Sequence, residues 1–227
     1  LIIMNGEKID WFHTVIRMLM YLAGVAVLAL GMSLQTASGL GVAALTCFAT
    51  TLSMLTGKTL GFWITATYVA YIVAQFTILR REFQPRILLE LCFSTLIGGF
   101  TDFFMAVNPL HPAALPIQVE TMLLSLAVTA FGVSLVVNMG VVPNAPDGLV
   151  QVIAEKIKRR FGDVKVVFDC SHVAVSLVLS LALMHNLGGF GVTTAISALF
   201  LGHVINIANK AVRPALCARG IREIAPP

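Results

Sequence analysis

Apolar residues run along this chain in long blocks, separated by short polar or glycine- and proline-bearing segments. A helix that crosses a bilayer needs about 20 mostly apolar residues. The blocks Met18–Ala37, Leu60–Leu79, Ile87–Val107, Ile117–Val137, Val166–Met184 and Phe190–Ala208 meet or nearly meet that length. Two further helical stretches are too short to cross. Val42–Thr56 is apolar but short, whereas Gly148–Phe161 opens as GLVQVIA and turns to EKIKRR. The pattern predicts an all-α polytopic membrane protein with about six transmembrane helices and two short broken or re-entrant helices. The alternative for the short helices is that they lie on the membrane surface.

Composition agrees. Of the 227 residues, 58% are hydrophobic and 11% charged, against about 25% charged in soluble domains. Such a chain has no polar skin to set against water, so its first expected partner is the lipid bilayer. The net charge of +4 matters by location and is no signal for nucleic acid. With six spans and a cytoplasmic N-terminus, Lys8, Arg17, Arg80, Arg81, Arg86, Lys156, Lys158, Arg159, Arg160, Lys165, Lys210, Arg213, Arg219 and Arg222 fall inside, and Lys58 alone outside. Letting both short helices cross would move Arg80, Arg81 and Arg86 outside, so the bias of basic residues towards the cytoplasm favours six spans. Both termini are then cytoplasmic. The first apolar block is long enough to span and ends in no convincing cleavage site, so it is read as a membrane helix and not as a leader.

The halves match without gaps at an offset of 101 residues: Gly31, Ser33 and Leu34 fall on Gly132, Ser134 and Leu135, Gly39 on Gly140, Ala44 on Ala145, Gly61 on Gly162 and Asn108 on Asn209. The element order repeats too: long span, glycine-bearing break, short helix, long span, long span. Residues 1–17 read as a cytoplasmic segment, 18–108 as a first membrane repeat, 117–209 as a second and 210–227 as a basic cytoplasmic tail. Three crossings per half make the second half run upside down, an inverted repeat of the kind found in many transporters. The breaks SGLGVAAL and MGVVPNAPDG then enter from opposite faces. Irregular backbone at membrane depth is tolerated only where protein or water satisfies it.

Candidate chemistry gathers near the second break. Asp147 occupies the place of a helix N-cap, and Asn144 offers both donor and acceptor. Asp147 weakens any simple anion site at that helix start and suits a cation or proton, or serves only as a cap. Asp169, His172 and Ser176, continued by Ser180, share one face of the fifth span. At the repeat offset Asp169, His172 and Ser176 correspond to Tyr68, Tyr71 and Gln75, a second polar stripe. Asp169 can also form a plain i,i+4 pair with Lys165. Asp102 falls at the repeat position of His203, which shares a face with Asn206 and Lys210. Ionisable residues inside spans are costly and usually face a cavity or a partner, though a structural bond between helices accounts for them equally. Glu90 and Glu120 lie near span ends and rank lower. Cys47, Cys92, Cys170 and Cys217 have no metal or redox spacing. No nucleophile–base pair, metal-ligand cluster, phosphate loop or dinucleotide fingerprint appears, so neither a cofactor nor enzymatic activity is expected.

With GMSLQTASGLGVAAL in the first half, GVSLVVNMGVVPNAPDGL in the second, the Asp169 span and GGFGVTTAISALFLGH, the chain resembles the YczE/YitT-like group of bacterial membrane proteins from about Gly24 to Asn209. It differs in having Ala44 and Leu45 where a proline is usual in the first break. The resemblance implies the fold and residence in the bacterial plasma (inner) membrane more than a substrate. Taken together, the expectation is a transporter or channel for a small molecule or ion, coupled to protons or cations. The alternatives are a substrate-binding subunit of a multi-component importer, or a regulatory scaffold. Self-association is compatible with any of them.

Overall fold

A computed structural model describes residues 11–80, 85–110, 112–141, 144–185 and 189–217. Lys8, Arg81, Pro143, Gly188, Arg219 and Arg222, used above, lie outside the described residues. Among those described the protein is all-helical: α1 (Trp11–Ser38), α2 (Ala44–Thr56), α3 (Leu60–Leu79), α4 (Leu89–Val107), α5 (Leu115–Met139), α6 (Ala145–Ile157), α7 (Phe161–Met184) and α8 (Val192–Cys217). Six of these, all but α2 and α6, are long and apolar enough to cross a membrane. α1 begins at Trp11, ahead of the expected Met18.

Local chemistry explains several boundaries. Thr59 caps α3 by accepting from the Phe62 amide, and Gly57 closes α2 in the left-handed region. α5 carries a proline in its first turn, where no amide proton is needed, and closes on left-handed Gly140. The last carbonyl of α5, on Met139, accepts from the Arg17 guanidinium at 2.5 Å. The start of α1 and the end of α5 therefore lie at the same side of the molecule.

α1 and α5 form the spine. In the most apolar window of α5, 61% of residues are buried, against 11% in α7 and 17% in α8. The two helices are antiparallel: Gly24 lies against Leu135 and Val136, Gly132 against Leu28, and Gly31 against Thr129, numbers that fall on one helix as they rise on the other. They approach so closely that a Cβ on Gly31 would sit 2.8 Å from the Thr129 amide nitrogen, and one on Gly132 2.5 Å from that of Leu28. Small residues permit such backbone contact in a bilayer.

Contacts recur at the 101-residue offset. Gly31 meets Thr129 as Gly132 meets Leu28. Asn108 donates to Ser33 Oγ at 3.1 Å, and Ser134 donates to Asn209 Oδ1 at 2.6 Å, the same two positions in each half. The short helices cross over: α2 packs on α7, and α6 packs on α3. Among the described residues the correspondence ends where α3 packs broadly on α4, whereas α7 and α8 show no comparable contact.

The first break is fully tied down. Val42 N donates to Gly189 O and Thr193 N to Leu40 O, both at 3.0 Å, while Thr194 Oγ1 donates to Val42 O at 2.7 Å. Gln35 Oε1 accepts from Ala43 N at 3.0 Å. Gly41, at φ 100°, abuts Gly191, an approach and a conformation that a side chain would obstruct.

Candidate functional site

The second break starts α6 differently from expectation. Asn144 is the N-cap, and Asp147 stands in the first turn. Pro146 accounts for the shift: a proline lacks the amide proton that the first turn does not use, so the helix opens upstream of it, and not at Gly148. α6 and α7 are joined through residues 158–160. Asp147, in the first turn of α6, meets α7 at Lys165 and near Asp169, one to two turns into that helix. The N-terminus of α6 therefore lies beside the second and third turns of α7 and not at its start.

Lys165 Nζ stands 3.0 Å from Asp147 Oδ1 and 3.1 Å from Asp169 Oδ1. The i,i+4 pair expected within α7 is present, and Asp147 extends it into a bridge between two helices. One turn further along α7, His172 Nδ1 donates to Phe168 O at 2.8 Å. A carbonyl can only accept, so Nδ1 carries the ring proton, and Nε2 is left to accept from the Tyr71 hydroxyl. The two stripes thus meet at positions that correspond in the two halves, Tyr71 and His172.

Aromatic rings line the interior from α1 to α7. Centroids are 6.0 Å apart for Tyr21–Phe93, 6.4 Å for Phe93–Tyr68, 6.0 Å for Tyr68–Tyr71 and 5.5 Å for Tyr71–His172. Phe48 of α2 reaches His172 edge-on at 6.3 Å. The early turns of α2 therefore border this histidine, while the start of α6 borders Lys165 and Gln75. Asn144 lies beside the Tyr68 hydroxyl, and its Oδ1 is buried without a hydrogen-bond partner among the described residues.

Gln75 adds a carboxylate that sequence reasoning ranked low. Its Nε2 donates to Glu90 Oε2 at 2.7 Å and to Ala145 O at 3.3 Å. Glu90 is 1% exposed. A Cβ on residue 148 would lie 2.7 Å from Glu90 Oε1, so Gly148 is what lets the carboxylate reach the first turn of α6. There the positive end of the helix dipole favours negative charge. The missed signal was the spacing: Glu90 continues the face of Phe93, Ser94, Ile97 and Thr101, all buried.

Asn144, Asp147, Asp169, His172, Tyr68, Tyr71 and Gln75 are thus brought together. The rest of the expected set is not. Ser176 turns to α2, with its hydroxyl 2.8 Å from Thr51 Oγ1 and 3.1 Å from Cys47 Sγ. Asp102 accepts from Thr59 Oγ1 and Gly61 N, both at 2.7 Å, and so ties α4 to the start of α3. His203 and Asn206 lie on an exposed side of α8. Among the described residues no group of His, Cys, Asp and Glu is arranged to hold a metal ion.

Residues 15–210 match the model of a family of unknown function, DUF6198. The chain belongs to that family. No curated protein and no solved structure matches it.

Proposed function

We propose that this protein carries a small solute across the membrane through the region between α6, α3 and α7. The observation that carries the reading is the gathering of polar groups around α3, α6 and α7: Phe48 of α2 borders the Tyr71–His172 pair, and Glu90, Asp147, Asp169 and Lys165 meet the start of α6 or its neighbours. Ionisable groups in such number inside spans are expensive unless they serve a polar path.

The antiparallel α1–α5 spine and the contacts that recur at the offset of 101 support an inverted repeat. Such repeats place binding sites at broken helices near the midplane. The two breaks differ in this reading. The first is tied by backbone bonds and is a fixed wall, while the second carries the charged groups and is the working side. The distribution of basic residues supports cytoplasmic termini in this reading, and the YczE/YitT-like resemblance supports residence in a bacterial plasma membrane.

Flux into proteoliposomes, screened with inorganic ions, amines, amino acids and sugars, tests the reading. Transport of at least one class is expected, reduced at least tenfold by Asp147→Ala with His172→Ala. Absence of flux for every class, or flux untouched by the double substitution, sinks it.

A second reading, a subunit of a larger membrane assembly, is favoured by His203 and Asn206, exposed in mid-span on α8. Polar side chains at that depth ordinarily face protein or water. Cysteine cross-linking from position 203 or 206 in native membranes reports a protein neighbour if there is one.

A further inference from the structure

We propose that α2, α3, α6 and α7 rock as one unit against α1, α4, α5 and α8, so that the α3–α4 joint opens as α7 closes onto α8. The proposal rests on the transport reading and supplies its alternating step, and cross-linking without substrate tests the motion apart from flux.

The helix pairings carry it. Shifting the first half by 101 residues turns α1 to α4 into α5 to α8. α4 packs on α1 as α8 packs on α5, α7 on α2 as α3 on α6, and α3 on α2 as α7 on α6. The slighter contacts of α2 with α8 and of α6 with α4 correspond as well. Among the described residues the pairing that differs is α3–α4 against α7–α8. The same joint is therefore closed in one half and open in the other. The pairings also sort the helices into two groups, one around the spine and one around the polar cluster, and the α3–α4 joint is the broad contact between them.

Individual residues show how the open joint can close. In the closed one, Thr65 Oγ1 donates to Ser94 O at 3.0 Å, and a Cβ on Gly61 would run into the Gly98 carbonyl. Their counterparts in the second half are Val166, Ala195, Gly162 and Leu199. These are exposed, Val166 at 62% and Leu199 at 69%, and a Cβ on Gly162 would meet nothing within 4 Å. A glycine inside a helix weakens it, and Gly162 gains no close contact in return while the joint is open. Closing α7 on α8 gives it the kind of approach that Gly61 makes.

The other end of the pair is anchored. Val42 N donates to Gly189 O and Thr193 N to Leu40 O, so the segment joining α7 to α8 is held on the first break, which serves as the pivot. Gly39 and Gly140, equivalent positions at φ 69° and 57°, connect the spine to the short helices through matching bends. In the six-span reading the starts of α3 and α7 lie on opposite membrane faces. Exchanging the joints then opens the polar cluster to one face and afterwards to the other. Tyr71, Gln75, Asp147, Lys165, Asp169 and His172 all belong to the rocking group and travel together. Both arrangements are realised on equivalent helices, so the exchange needs no new kind of packing.

The test uses the full chain in membrane vesicles. Cys47 is kept because it is buried, and Cys92, Cys170 and Cys217 are replaced by serine. Val166→Cys and Ala195→Cys are introduced together and oxidised with copper phenanthroline. A disulfide needs Cα atoms within about 7 Å of each other, which the closed joint supplies. Linked peptides in a chain that still runs as a monomer are expected. Val178→Cys with Phe200→Cys is the control, placed at the counterparts of Thr77 and Gly99, where a Cβ on Gly99 would meet nothing within 4 Å. That pair should stay unlinked. Thr65→Val and Gly98→Ala weaken the α3–α4 joint and should each speed the 166–195 link by roughly fivefold. Should Gly98→Ala not fold, Thr65→Val carries the comparison. No link within the chain overturns the motion, as does equal linking of the control pair or a rate unchanged in the folded variants. A link formed only between chains also overturns it, and puts a second copy in the gap. Closure without flux upholds the motion and sinks transport; flux without closure does the reverse.

Discussion

The Tyr71 hydroxyl donates to Nε2 of His172, a residue 101 positions later and at the same place in the other half of the chain. Each therefore meets its own counterpart. The Phe168 carbonyl accepts from Nδ1 on the ring's other side, and the Tyr71 bond joins α3 to α7 beside Phe48 of α2.

If that bond ties the halves together, its energy appears only when both partners are present. A double-mutant cycle with Tyr71→Phe and His172→Gln should return a coupling of about 1 kcal/mol in unfolding free energy. Both single variants should also lower flux by a similar factor. Additive effects on stability would argue against a direct bond.

Lys165 holds two carboxylates from different helices. Lys165→Met leaves both without their cation. The side chains are 23–39% exposed, so the cost should be about 1–3 kcal/mol, less than for a fully buried pair. Adding Asp147→Asn and Asp169→Asn should recover most of it. Thermal unfolding of the single and triple variants checks this, and no recovery would mean that Lys165 acts mainly by packing.

Gly31 and Gly132 make reciprocal contacts in the spine. Alanine at either should cost about 1–3 kcal/mol, by similar amounts, because at both positions backbone atoms of the facing helix lie within 3 Å of the new Cβ and cannot rotate away. Detergent unfolding curves of the two variants test the equality, which is what a spine with matching contacts requires.

Asp102 should behave as a structural residue despite its charge. Asp102→Ala removes acceptors from Thr59 and Gly61 at the start of α3 and should cost about 1–3 kcal/mol. Flux per folded molecule, by contrast, should stay within twofold of wild type. A large loss of flux at unchanged stability would move Asp102 into the pathway.

Much of this arrangement was legible in the residues. Apolar blocks of spanning length locate α1, α3, α4, α5, α7 and α8, because a bilayer demands that length directly. The stripes Tyr68–Tyr71–Gln75 and Asp169–His172 carry helical spacing, so their shared faces follow from periodicity. What periodicity cannot supply is which helix a face meets. Ser176 lies on the same stripe as His172 yet bonds to α2, and Asp102 turns to Thr59 instead of the centre. Glu90 ranks low in the sequence because it lies near a span end, while its continuity with Phe93 and Ile97 decides its burial. Asp147 was misplaced by one turn's worth of capping because Pro146 had been taken as part of the break instead of the helix.

The crossover of the short helices bears on how the chain is made. α2 finds its packing surface on α7, and the Thr51–Ser176 bond spans 125 residues. During synthesis α2 therefore emerges well before the surface that covers it. Contacts of such long range form slowly, and the exposed intermediate invites wrong association. The first three spans are accordingly not an independently folding unit: expressed alone they would present α2 uncovered, and co-expression with the second half as a split chain should restore them.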